Sequence, residues 1–215
     1  MHTESNKCKH IYHMKPRKND PIEIFRQHNG ILRTAEAIKL GIHPVHLYRL
    51  RDEGILESLG RGVFRLASMP DFSEPDLVLV AKRIPHGIIC LISALAYYEL
   101  TTQIPHFIYI ALPRTARLPK PNYPPLRFFW YSKDSYNSGV ETISVSGFPV
   151  KIYNIEKTLA DCLKFRQKIG MDVVLEAYKE YWRKGKTNLD KLYDYAKICR
   201  VENILQPIIE TIVSQ

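Results

Sequence analysis

The most constraining stretch of the chain runs from Leu32 to Gly54, LRTAEAIKLGIHPVHLYRLRDEG. Ala37 stands four positions before Gly41, and Leu47 and Leu50 stand six and nine positions after it. Two helices that cross closely need a small side chain at the crossing and a turn residue tolerant of the left-handed conformation. Leu47 and Leu50 share one face of the following helix, and Leu40 and Ile42 bracket the glycine as apolar plugs. The spacing predicts a helix-turn-helix, with Thr34 capping a first helix to Leu40 and Pro44 opening a second that ends at Gly54. A plain αα-hairpin that binds no nucleic acid has the same periodicity.

The flanks favour DNA over the plain hairpin. Upstream, Asp20 as N-cap and Pro21 at the first position start a helix to His28, stopped by Gly30. Downstream, two short strands, Ile55–Leu59 and Val63–Leu66, join through Gly60-Arg61-Gly62, a glycine-rich hairpin signal. A hairpin directly after the second helix makes the winged variant. The outer face of that helix offers His43, Val45, His46, Tyr48 and Arg49 rather than a glutamate and lysine solubility pattern. His43, Val45, Tyr48 and Arg49 are the residues expected to meet base edges. Arg33, Thr34, His46 and the hairpin-tip Arg61 are expected to hold phosphates.

Charge agrees with an anionic partner. The 215 residues carry a formal net charge of +9, and residues 1–67 hold 12 basic against 7 acidic side chains. Residues 68–75 carry two prolines and no hydrophobic period and read as a linker. The expected organisation is therefore a basic tail over 1–20, a winged helix over 21–67, that linker, and a second domain over 76–215. Apolar runs such as Gly87–Ala96 fall short of the ~20 residues that cross a bilayer. Four scattered cysteines without a CxxC suit a reducing cytoplasm. Cys8, His10 and His13 offer three metal ligands without a partner pair, so no metal is expected.

The second domain reads as α+β. Helices are expected at Asp76–Lys82 and Ile88–Leu100, followed by strands at Phe107–Leu112, Leu126–Tyr131, Thr142–Val145 and Phe148–Tyr153. With Ser146-Gly147 turning the last two strands, an antiparallel sheet is the expectation. A helix from the cap Asn154 to about Lys168 and three more at Asp172–Arg183, Leu189–Ile198 and Glu202–Val213 complete it. No Ser/His/Asp set, GxxxxGK, GxGxxG or HExxH occurs, and Glu156 and Asp161 lie too far apart around a helix to share a metal, so neither catalysis nor a cofactor is expected. The run Phe128, Phe129, Trp130, Tyr131 could stack bases, although alternate members of a strand face opposite sides and half would serve a core in any case. Arg114, Arg117 and Lys120 sit in a proline-rich loop, where they either contact phosphates or keep the loop soluble.

The segments TAEAIKLGI (Thr34–Ile42) and LYRLRDEGILESLGRGVFRL (Leu47–Leu66) closely resemble the N-terminal winged helix of the AbiEi family. SALAYYELT (Ser93–Thr101), IYIALP (Ile108–Pro113) and above all VKIYNIEKTLADCLKFR (Val150–Arg166) carry the resemblance into the second domain. That family comprises antitoxins and transcriptional regulators of type IV abortive-infection toxin–antitoxin systems. The resemblance implies a cytoplasmic repressor of its own operon that binds operator DNA. Its second domain would counteract a nucleotidyltransferase-like toxin. The rival is a protein-interaction module that binds a toxin or its target through the second domain, with the winged helix as scaffold.

Overall fold

The structure, a computed structural model, describes residues 20–70, 74–119, 123–185 and 187–213. The expected tail, apart from Asp20, lies outside the described residues, as do residues 71–73 of the expected linker, Lys120, and the Cys8, His10 and His13 cluster. The chain divides into two compact units, Met1–Met69 and Pro70–Gln215.

The first unit runs α1 (Pro21–Gln27), β1 (Ile31–Arg33), α2 (Thr34–Lys39), α3 (Pro44–Asp52), β2 (Leu56–Gly60) and β3 (Val63–Leu66). The Asp20 carboxylate accepts from the Ile22 N–H and starts α1. The end of α2 is a Schellman turn. Gly41, at φ +88°, donates to the Ile38 carbonyl, and the Ile42 N–H reaches back to that of Ala37. The same two bonds recur at the end of α3, from Gly54 to Arg51 and from Ile55 to Leu50. In this motif the residue after the glycine packs on the last helical turn, so Ile42 is buried with Ala37, Leu47 and Leu50 in one core. Leu40 precedes the turn and remains 37% exposed, so it is not the second plug that the sequence suggested.

α2 starts at Thr34, but Thr34 is not its cap. Arg33, in extended conformation, is the N-cap of α2, and Glu36 reaches back to its N–H at 2.9 Å. Thr34 is therefore the first helical residue, and its N–H donates to the Gly62 carbonyl at 2.9 Å. That bond accompanies β1, which the sequence reading missed because three residues are too few to show alternation. β3 lies between β1 and β2 in an antiparallel sheet.

The second unit runs α4 (Pro75–Arg83), β4 (Ile88–Ile89), α5 (Leu91–Tyr97), β5 (Ile108–Pro113), β6 (Leu126–Tyr131), α6 (Lys133–Asn137), β7 (Val140–Val145), β8 (Phe148–Tyr153), α7 (Ile155–Lys164), α8 (Arg166–Ile169), α9 (Met171–Arg183), α10 (Leu189–Cys199) and α11 (Glu202–Val213). It is α+β as expected, but its sheet is mixed rather than antiparallel. The strand order is β6-β5-β4-β8-β7, with β5 parallel to β6 and β4 parallel to β8. The two-residue turn at Ser146-Gly147 does force β7 and β8 antiparallel. Between β5 and β6, residues 114–125 are long enough for a crossover, which frees those strands to run parallel. β4 was hidden inside an expected helix from Ile88 to Leu100. Cys90 is extended, at φ −146° and ψ 175°, so the helix starts only at Leu91.

The core of this unit contains an ion pair. Asn154 caps α7 by accepting from the Lys157 N–H at 2.9 Å, and one turn on, Lys157 Nζ bonds Asp161. Both side chains are fully buried. The Lys157 ammonium lies 4.3 Å and 5.0 Å from the ring centroids of Tyr153 and Tyr131, close enough for cation–π attraction. Cys199 on α10 donates its thiol to the second Asp161 oxygen at 3.2 Å. Gly139 lies against the lysine stem, where an added Cβ would come within 2.6 Å of Lys157 Cβ. Burial pushes the Asp161 carboxyl above the ordinary carboxylate range, and Lys157 pulls it back in part. Burial also raises the thiols, Cys199 to about 12 and Cys90 and Cys162 well above the usual range. Burial thus disfavours the thiolate, the form of cysteine that reacts.

Two stability measurements follow. Gly41→Val should cost about 1–3 kcal/mol, because a β-branched residue is strained at positive φ. An unchanged thermal midpoint would remove Gly41 from the turn. Asp161→Ala should cost about 3–5 kcal/mol by stranding the buried ammonium, whereas Lys157→Met with Asp161→Leu should recover most of it. Urea unfolding compares the three proteins, and a double variant no more stable than Asp161→Ala would contradict the assignment.

Candidate nucleic-acid interface

α3 begins at Pro44, whose fixed φ suits the first helical position and whose missing N–H costs nothing there. Its N-cap is His43, and Nδ1 accepts from the Val45 N–H at 3.3 Å. An imidazole that accepts at Nδ1 carries its proton on Nε2, which leaves that N–H to donate elsewhere. Leu47 and Leu50 face inward and fix the rotation of the helix. The rotation puts Val45, 62% exposed, on the surface with His46, Tyr48 and Arg49. The five outer residues read from the sequence on this helix and its cap are thus all exposed, and the rings of His43 and His46 meet edge to face at 6.4 Å.

Their partners show what each is free to do. Arg49 makes an ion pair with Glu53, 3.6 Å apart on adjacent turns, and both side chains are about half in solvent. Such a pair contributes little and is easily exchanged for a stronger acceptor. The Tyr48 ring stands edge-on to Phe64 of β3 at 5.9 Å and is covered on another side by the Arg51 guanidinium at 5.2 Å. Arg51 also makes a two-nitrogen contact with Asp52. The sequence reading passed over Arg51. Its place three residues after Tyr48, on the same side of the helix, was the available signal.

A second group forms beside the hairpin. Arg33 pairs with Val63 across the sheet, and the Thr34 N–H holds the Gly62 carbonyl, so Arg33 and Thr34 adjoin Arg61 although 28 residues separate Arg33 from Arg61. Arg61 is exposed in the two-residue turn between β2 and β3, while Arg33 and Thr34 are half-buried. The arrangement offers a helix face with a guanidinium, an imidazole, a phenol and an isopropyl group, and beside it a hairpin with a cation at its tip. Among the described residues no group of three or more His, Cys, Asp or Glu is placed to hold a metal ion. Nor is any described helix long and apolar enough to cross a membrane.

The sequence of the first unit has a counterpart among known families. Residues 19–67 match the family of the transcriptional regulator AbiEi antitoxin. The matched stretch takes in the described part of the first unit almost entirely and ends before the second, so the motifs from Ser93 to Arg166 stand outside it. No curated protein matches the chain. Among solved structures, the fold resembles the crystal structure of the RV2827C protein from Mycobacterium tuberculosis, with a TM-score of 0.56. That alignment covers 82% of this chain and 69% of the other at 13% identity, a likeness of fold alone.

The capping role of His43 is open to a direct measurement. His43→Ala should cost about 1 kcal/mol of stability through loss of the cap, and His43→Asn, which can accept the same bond, should keep it. Thermal unfolding of both reports the cap. Equal midpoints for the two variants would show that Nδ1 does not hold α3.

Proposed function

We propose that this chain is a DNA-binding transcriptional repressor and antitoxin whose first unit is a winged helix-turn-helix. The observation that carries the reading is the rotation of α3. Burial of Leu47 and Leu50 leaves a helix face of Val45, His46, Tyr48 and Arg49 beside an arginine-tipped hairpin, within residues that match an antitoxin and regulator family. In this reading α3 enters the major groove, where Arg49 can give two parallel N–H bonds to a guanine edge. Arg61 follows the phosphates or the narrow groove from the hairpin tip. Arg33, Thr34 and His46 hold the backbone.

The remaining parts of the proposal extend the family resemblance. The repressor acts in the cytoplasm on the operator of its own operon, and the second unit counteracts a nucleotidyltransferase-like toxin encoded beside it. The chain acts by binding and is not itself an enzyme. Two features fit that role: Cys90, Cys162 and Cys199 are buried in the second unit, and Glu156 is taken up by the Tyr181 hydroxyl at 3.0 Å.

Titration of operator and scrambled duplexes at several salt concentrations tests the DNA reading. Arg49→Ala should lose roughly 1–3 kcal/mol on the operator and much less on scrambled DNA. Arg61→Ala should weaken both duplexes evenly and lower the salt slope by about one contact. If neither substitution changes binding to any duplex, the repressor proposal fails. Co-expression of the full chain with the adjacent gene tests the antitoxin role, and growth arrest that persists despite expressed protein would sink it.

A further inference from the structure

Strand β6 reads LRFFWY, forms one edge of the five-stranded sheet and, among the described residues, pairs only with β5. Alternation divides it. Phe129 and Tyr131 enter the core, whereas Leu126, Phe128 and Trp130 take the other face. Leu126 and Phe128 are half-buried there, and Trp130 is 43% exposed with its ring centroid 6.5 Å from that of Phe128. The opposite edge of the sheet, β7, carries Glu141, Thr142 and Ser144 in solvent, the polar protection that a sheet edge normally has. β6 shows an indole and a phenyl ring instead, and folding of this unit does not bury the indole.

Cations frame that edge. Arg114 donates its N–H to the Tyr131 carbonyl at 3.1 Å, which places it at the end of β6, and the exposed Lys133 follows two residues after the strand. Arg127 is exposed too, but it points to the face of Phe129 and Tyr131, its guanidinium 5.9 Å from the Tyr109 ring centroid, and so is not part of the frame around Trp130. At the strand's start Arg83 donates to the Tyr123 carbonyl at 2.5 Å. The nearby acids are Asp134 on α6 and Asp76, which is hydrogen-bonded to Tyr123.

We propose that β6 is a stacking platform for single-stranded RNA, with Trp130 as the principal stacking residue and Phe128 beside it. Planar rings flanked by cations match unpaired bases on a phosphate backbone, because stacking needs an open base face and the cations need anions. A duplex keeps its bases stacked within the helix and would leave Trp130 without a partner. Splayed, unstacked bases are characteristic of RNA loops, bulges and ends. A peptide strand or a second copy added to this edge would use its backbone groups but not the charge. The platform is independent of the α3 surface and does not rest on the repressor reading.

The test uses the full chain carrying Trp182→Phe, so that Trp130 is the one remaining tryptophan. Titration with a mixed-sequence twelve-nucleotide single-stranded RNA should quench Trp130 emission, and added salt should weaken binding. Read by the anisotropy of an end-labelled RNA, because these variants keep no tryptophan, Trp130→Ala should weaken binding at least fivefold, whereas Trp130→Phe, which keeps a ring for stacking, should stay within about threefold. Operator binding should be unaffected by either change, just as Arg49→Ala should leave RNA binding intact, so the two proposals fail separately. Unchanged emission at saturating RNA, equal affinity for Trp130→Ala, or equally tight binding of single-stranded DNA of the same sequence would overturn the proposal. So would a dimer in sedimentation that Trp130→Ala dissolves while RNA binding is unaltered.

Discussion

The backbone reversal at the end of α2 governs the candidate interface. Once Gly41 takes the left-handed conformation, Ile42 must bond back to Ala37 and pack against it. The chain then enters α3 at Pro44 with its direction already set. Leu47 and Leu50 complete the same core, and with the helix held at those two points, Val45, Tyr48 and Arg49 have only the solvent side left. The interface is thus the residue of a packing constraint: side chains with no place inside are presented together outside. The hairpin is tied to the same frame through the Thr34 bond to Gly62 and the contact between Tyr48 and Phe64.

The second unit is organised around a different kind of constraint. Lys157 and Asp161 are fully buried, so each depends on the other and on what surrounds the pair. Two tyrosine rings take the ammonium, a cysteine thiol supplies a donor to the carboxylate, and Gly139 leaves room for the aliphatic stem. These partners come from β6, β8, α10 and the turn before β7, elements spread over more than 60 residues of chain. A buried pair is weak evidence of added stability, but removal of one partner is costly, so it penalises arrangements of those elements that separate the two charges.

Legibility of the fold tracked how local its cause was. The turn at Gly41, the inward face of Leu47 and Leu50 and the Asn154 cap follow from neighbours within a few residues, and the structure has all three. Leu40 was misplaced because an apolar residue beside a turn glycine has no sequence mark telling which side of the turn faces the core. Thr34 was misread as a cap because a threonine before a helix is a good cap in general. Here Arg33 holds the cap position with Glu36 accepting from its N–H, so Thr34 is already the first residue of the helix. For the outer residues of α3, periodicity sufficed to predict exposure. The juxtaposition of Arg33 and Thr34 with Arg61 needed the pairing of β1 with β3, which three residues could not announce.

By itself the sequence determined the order of helices and strands in the first unit apart from β1, the α+β character of the second, and the set of polar side chains on α3. Spacing and capping act over one or two helical turns, and they are written in the chain. Tertiary structure alone decided the direction of β6 and β4, the burial of Lys157 with Asp161, and the exposure of Trp130 beside buried Phe129 and Tyr131. Strand direction depends on where a crossover lands, and the fate of an aromatic on a strand depends on whether a helix covers its face. Neither is a property of neighbouring residues, so neither could be read before the sheet was assembled.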